Sequence, residues 1–145
     1  MSTSSRTTST SSRSTVVIAL GSNLGDRRYN LARAVAAVGE IVRVVRVSSF
    51  HETEPVDAPS GSPPFLNAVL LGYTSLAPLA LLDALLSIEQ RLGRVRRGVK
   101  NSPRVIDLDL IAHGAVRMRT KRLTLPHPRA HEREFVLAPL REIWR

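Results

Sequence analysis

Residues 65–93, FLNAVLLGYTSLAPLALLDALLSIEQRLG, change period halfway along. The first part, FLNAVLLGY (65–73), is short and apolar and follows a turn-rich segment, which predicts a buried strand. Pro78 then suits the first turn of a helix, where a missing N–H costs nothing. Leu79, Leu82, Leu85, Leu86 and Leu92 form the apolar side of that helix, up to Gly93. The same strand-then-helix order stands earlier in the chain. VVIAL (16–20) is a β-branched run, and a glycine turn leads into a predicted helix from about Asp26 to Val38. Leu31, Ala34, Val35 and Val38 make one apolar stripe on it, and Gly39 is placed to stop it.

Between the two units, IVRVVRVSSFHE (41–52) reads as a strand whose imperfect alternation points to a bulge. DAPSGSPP (57–64) has three prolines and a glycine in eight residues and is a loop. A further strand is predicted over 105–112, and residues 117–145 read as a short strand pair, a Pro-rich turn and a final short helix. The order β-α-β-β-α-β is the ferredoxin-like α+β arrangement, an antiparallel sheet with helices packed on one side. One folded domain is expected over residues 15–145. Residues 1–14, MSTSSRTTSTSSRS, have nothing to bury and are expected to be a disordered tail.

With 145 residues, 43% of them hydrophobic and 23% charged, the chain is an ordinary globular length and composition. It has no cysteine, which excludes disulfides and thiolate metal sites and fits a cytoplasmic location. No apolar run approaches the roughly 18 residues needed to span a bilayer, so no membrane partner is expected. The net charge of +9 points to an anionic partner, either nucleic acid or a phosphorylated small molecule. From Arg91 to Arg104 there are six basic residues and no acidic one. Such a run is either a solvated loop or a phosphate-binding one.

Immediately after it, SPRVIDLDLIAHG (102–114) sets two aspartates into an apolar strand. Strand alternation puts Asp107 and Asp109 on one face and Ile106, Leu108 and Leu110 on the other. Two neighbouring carboxylates repel, and one stays protonated unless a cation intervenes. The pair is therefore either ordinary surface polarity or a site for a hard divalent ion such as magnesium, which shares carboxylates with substrate phosphates. With Arg104 three residues away, metal, phosphate and guanidinium together equip a site for phosphoryl transfer. No Walker pattern G-x-x-x-x-G-K-[ST] occurs, so a nucleotide would be held without a P-loop.

Three further features admit two readings each. LGSNLGD (20–26) is a tight turn with Asn23 or Asp26 capping the helix, or a backbone cradle that brings Gly21 close to a ligand. Phe65 and Asn67 share a strand face, either as a core ring beside a satisfied amide or as a stacking surface with a hydrogen-bonding edge for a flat heterocycle. His127 and His131 have the spacing of a metal pair, but Pro126 and Pro128 disfavour a regular helix through them, which argues against zinc.

Taken together, ALGSNLGDR, SSFHETEPV, FLNAV, IEQRLGRVR, PRVIDLDLI, RLTLPHPR and REFVLAPL resemble the bacterial 6-hydroxymethyl-7,8-dihydropterin pyrophosphokinases of folate biosynthesis, over Val16 to about Ile143. The resemblance implies a ferredoxin-like enzyme that transfers pyrophosphate from ATP to the pterin hydroxymethyl group and releases AMP. It implies two Mg2+ ions held by Asp107 and Asp109, with Arg94 and Arg104 as the catalytic arginines of a closing loop. It places Thr53, Pro55, Val56, Phe65, Asn67 and Phe135 around the pterin, with Phe65 and Phe135 on either side of the ring. Glu89, Arg96, Leu110, Arg122, Thr124 and His127 fall on the ATP side. Many members carry tryptophan and glycine where Asn101 and Ser102 stand here, so a changed lid is expected. Pro128 takes the place of an aromatic found in some members. The partners expected are ATP and the pterin, with the protein a monomer. No fused downstream folate enzyme is expected, because the chain ends at Arg145. The alternative is a small basic ferredoxin-like nucleic-acid-binding domain. Six aromatics in the chain and no RNP-like cluster on any strand weigh against it.

Overall fold

A computed structural model of the protein describes residues 13–54, 61–93, 104–129 and 133–144. Pro55, Val56, Arg94, Arg96, Asn101, Ser102 and His131, and residues 1–12 of the expected tail, lie outside the described residues. The elements in chain order are β1 (Ser14–Ser22), α1 (Arg27–Val38), β2 (Arg43–Val47), β3 (His51–Thr53), β4 (Phe65–Thr74), α2 (Pro78–Arg91), β5 (Asp107–His113), β6 (Met118–Arg119), β7 (Thr124–Leu125) and α3 (Glu134–Ile143). The main sheet runs β2-β4-β1-β5, with β3 pairing β4 on the same side as β2, and every pair is antiparallel. This is the ferredoxin-like order, with the β6–β7 pair and α3 added at the C-terminus.

Alternation along the strands divides the core into two layers. Val16, Ile18, Leu20, Ala68, Leu70, Leu108 and Leu110 face α1 and α2, where Leu31, Ala34, Val38, Leu81, Leu85 and Ile88 meet them. Val17, Ala19, Val69 and Ile111 point to the opposite face, where Val136 and Ile143 of α3 cover them. The third helix is thus not on the side of the other two. It leaves part of its face of the sheet for the candidate site.

Three expectations need correction. Strand β1 begins at Ser14, inside the expected tail, because Ser14 and Thr15 pair with Thr74 and Tyr73. On α2 the buried line is Leu81, Leu85, Ile88 and Glu89, while Leu79 is exposed. Apolar residues cover more than half of that helix, so spacing alone could not say which of them the sheet would take. The 41–52 segment is two strands, with a bulge at Val45 between the Val44–Gly72 and Arg46–Leu71 pairs.

Opposite that bulge the backbones approach closely. A Cβ on Gly72 would stand 2.6 Å from both the Arg43 carbonyl oxygen and Val42 Cγ1. Gly72→Ala is therefore expected to destabilise the fold by about 1–3 kcal/mol, as overpacking against backbone does. A denaturant titration checks this, and an unchanged midpoint would contradict it.

On the opposite face of the sheet, α3 is fastened to the margin. Arg46 Nη1 donates to the Ile143 carbonyl at 2.9 Å. Glu142 accepts from the Ser49 N–H at 2.5 Å and the Ser49 hydroxyl at 2.7 Å, and it lies 2.9 Å from His51 Nε2. These donors hold its carboxyl down at about 2.

Candidate active site

The site starts with one row of residues across the sheet. In register, His51 lies opposite Asn67, Asn67 opposite Gly21, and Gly21 opposite Asp107. The next row places Val69, Ala19 and Asp109 side by side. All of these strand positions from Asn67 to Asp109 are on the α3 face, by the period of two. Gly21 is where the row needs no side chain. A Cβ there would lie 3.2 Å from Asn67 Oδ1 and 3.3 Å from Phe65 Cδ1, so glycine admits the Phe65 ring and the amide.

On the β4 side of the row, Asn67 is buried and its Nδ2 donates to Thr53 Oγ1 at 2.6 Å and more weakly to the His51 carbonyl at 3.4 Å. The amide plane is therefore set before any ligand arrives. Phe135 sits in the first turn of α3, half-buried, with the Arg133 guanidinium 5.3 Å from its ring centroid.

On the β5 side, Arg104 Nη1 donates to Asp107 Oδ2 at 3.2 Å. Burial, then the charges of Asp107 and Glu89, push the Asp109 carboxyl up to about 7, against the opposing pull of Arg133 and Arg104. Among the described residues the charges of Arg133 and Arg104 thus only partly offset the effect of burial and of the two neighbouring carboxyl groups on Asp109. Glu89, expected on the nucleotide side, is buried, and its Oε2 accepts from the Leu108 N–H at 2.6 Å. It anchors the β5 backbone between the two aspartates.

A groove of about 260 Å³ opens beside Asp109, lined by Leu82, Leu108, Leu110, Thr120, Lys121, Arg122, Leu123, Thr124, His127 and Pro128. Four residues expected on the nucleotide side, Leu110, Arg122, Thr124 and His127, share this groove with the second aspartate. Arg122 pairs with Asp83 of α2. Burial and the nearby Arg133 and Arg129 lower the His127 pKa, keeping the ring neutral at pH 7. Its Nδ1 accepts from the Arg129 N–H at 3.4 Å, which leaves the ring proton on Nε2.

Among the described residues no three His, Cys, Asp or Glu side chains gather as a closed metal cage. Two adjacent carboxylates with the remaining positions open are what magnesium uses when it shares its shell with phosphates and water. The donor set fits that ion.

Sequence reasoning missed Arg133, whose charge reaches both Asp109 and His127. It opens the family motif REFVLAPL (133–140), the one local signal that could have found it. The capping role left open between Asn23 and Asp26 goes to Asp26, whose side chain accepts from the Tyr29 N–H. Gly21 lies within β1 rather than in the turn, and the space a Cβ would take there is bounded by Asn67 and Phe65.

The family model for 7,8-dihydro-6-hydroxymethylpterin-pyrophosphokinase matches residues 17–145. The 2-amino-4-hydroxy-6-hydroxymethyldihydropteridine pyrophosphokinase of Bacillus subtilis is 46% identical over 128 residues, covering 87% of this chain and 75% of that protein. The protein of the same name from Haemophilus influenzae is 41% identical over 131 residues, covering 89% and 81%. A folate synthesis bifunctional protein of Arabidopsis thaliana is 44% identical over 126 residues; the match spans 86% of this chain but 26% of the plant protein. The crystal structure of wild-type Plasmodium falciparum HPPK-DHPS with pteroate superposes with a TM-score of 0.66 over 90% of this chain and 38% of that one. At 14% identity that likeness concerns the fold. The nucleic-acid-binding alternative finds no support in these matches. A match from Val17 to the last residue, and close bacterial relatives aligned over most of their length, establish that the chain belongs to the 7,8-dihydro-6-hydroxymethylpterin-pyrophosphokinase family.

Proposed function

We propose that this protein transfers pyrophosphate from ATP to the hydroxymethyl group of 6-hydroxymethyl-7,8-dihydropterin, releasing AMP, as a step of folate biosynthesis. The observation that carries this reading is the row Asn67–Gly21–Asp107. It sets an oriented amide next to two carboxylates on one strand face, so a flat heterocycle and a metal-bound polyphosphate would lie side by side on one surface. Thr53, Phe65, Asn67 and Phe135 serve the heterocycle, with Pro55 and Val56 contributing from outside the described residues. Leu110, Arg122, Thr124 and His127 serve the nucleotide in the adjacent groove, with Glu89 behind them and Arg96 from the basic run.

Asp107 and Asp109 would hold two Mg2+ ions. When bound, these ions supply counter-charge to the phosphate oxygens and fix the polyphosphate for in-line attack. In the transfer, the pterin hydroxyl oxygen bonds the β-phosphorus and gives up its proton to solvent, while the bond between the β-phosphorus and the α–β bridging oxygen breaks and AMP departs carrying that oxygen. Arg104 and Arg94 neutralise charge on the oxygens that gain it, which is where a guanidinium is most effective. His127, neutral with its proton on Nε2, offers the groove a donor without adding a charge.

The protein is proposed to act as a monomer in the cytoplasm, in keeping with a cysteine-free chain. Among its described residues no helix is long and apolar enough to cross a membrane. The test combines protein, Mg-ATP and hydroxymethyl-dihydropterin and measures AMP against a control without pterin. Pterin-dependent AMP is expected. ADP as the product, or AMP independent of pterin, would overturn the reading.

A further inference from the structure

The turn between β6 and β7, from Thr120 to Leu123, forms one wall of the groove beside Asp109. It is tied three times across its own ends. The Thr120 N–H donates to the Leu123 carbonyl at 3.0 Å, and the Thr120 hydroxyl donates to the same carbonyl at 3.0 Å. The Leu123 N–H donates back to the Thr120 hydroxyl oxygen at 3.0 Å. Leu123 is buried, and Arg119 pairs with Thr124 just outside the turn. The two tip residues, Lys121 and Arg122, are therefore exposed side chains presented to the groove from a backbone with little freedom left.

Three side chains able to carry positive charge line this groove: Lys121, Arg122 and His127. They are not equivalent. His127 is neutral at pH 7, because burial, Arg133 and Arg129 lower its pKa. Arg122 is paired with Asp83 of α2, so a carboxylate already shares its charge. Among the described residues no carboxylate engages Lys121. Its ammonium is a compact point charge with three donors on a flexible stem, which suits a phosphate approached from the side.

We propose that Lys121 is a further nucleotide-binding residue, the cation this groove offers to the polyphosphate, and that Asp83 withholds the charge of Arg122 from the same anion. The inference rests on the pyrophosphokinase reading above. A lysine at an exposed turn meets charge that the nucleotide already carries in the ground state. Its effect therefore falls on affinity, and not on the chemical step, because only interactions that strengthen in the transition state raise kcat. Since the ammonium is open to solvent, salt should weaken its contribution.

The test measures the Kd of a non-hydrolysable α,β-methylene ATP with Mg2+ by calorimetry, at about 0.05 M and about 1 M NaCl, where screening lengths differ several-fold. Turnover is followed in parallel. Lys121→Met is expected to raise the Kd about five- to twentyfold at the lower salt, as loss of a charge-assisted contact does. The KM for ATP should rise with it while kcat stays within about twofold. At the higher salt the difference from the wild type should shrink to about twofold or less. Lys121→Arg keeps the charge and should bind within about threefold of the wild type. Asp83→Asn frees Arg122 and should tighten binding by about two- to fivefold, the scale of an exposed ion pair. A lysine that merely supports the turn would give a loss that salt leaves unchanged. That result, a Lys121→Met protein with the wild-type Kd, a loss in kcat in place of affinity, or an Asp83→Asn protein that binds no tighter overturns the inference. The reaction itself is read separately, from pterin-dependent AMP release by the wild type, so its failure is distinguishable from that of the role given to Lys121.

Discussion

Replacing Asp109 by alanine or asparagine is expected to abolish turnover and, without metal, to leave a protein more stable than the wild type above neutral pH. Asp107→Ala should be equally inactive. The loss should exceed about 10³-fold, beyond the effect of removing a single transition-state donor, because the pair carries the counter-charge for the whole polyphosphate. The stability effect follows from the same repulsion. Burial and the neighbouring Asp107 and Glu89 raise Asp109 from the ordinary 3.8 to about 7. Between about pH 4 and pH 7 the folded state thus keeps a proton that the unfolded chain has released, and stability from this group falls as pH rises through that window. Asp109→Asn removes the dependence and should gain about 1–3 kcal/mol at alkaline pH. Thermal melts in EDTA at about pH 5 and about pH 8.5 measure it, and added Mg2+ should stabilise the wild type but not the variant at the higher pH. A variant that still releases AMP at the wild-type rate would remove the aspartates from the mechanism.

Arg104→Ala is expected to slow the chemical step by about 2.7–4 kcal/mol of barrier, the effect of deleting one donor from a developing oxyanion. The loss should appear in kcat, with nucleotide affinity changed less, since the role proposed for the guanidinium is at charge that grows in the transition state. The fold should survive. It is the Arg104 backbone, through its N–H and carbonyl, that holds the segment to Asn23, and the alanine variant keeps both. Single-turnover kinetics separate chemistry from binding, and a variant with normal kcat but a raised KM would assign Arg104 to ground-state binding instead.

The two strand–helix units were legible because each has a single period and a clear stop. VVIAL and FLNAVLLGY are too short and too apolar to be anything but buried strands in a chain of this length. Asp107 and Asp109 were legible as a pair for the same reason, since a period of two needs no knowledge of neighbours. The buried side of α2 was not legible. Leucines surround that helix, and only the sheet beneath it selected Leu81, Leu85 and Ile88 over Leu79.

The sequence by itself determined what is local: strand period, helix stops, the carboxylate pair, the arginine run before it, and the motifs that mark the family. Tertiary structure alone decided which residues meet. Register across β4, β1 and β5 puts Asn67, Gly21 and Asp107, distant in sequence, into one row. Only packing brings Arg133 of the α3 N-terminus within electrostatic reach of Asp109. Only the folded turn turns Asn23 from a candidate helix cap into the link between Arg104 and Pro63. The physical reason is common to all three: hydrogen-bond register and burial are relations between segments, and no stretch of one segment contains them.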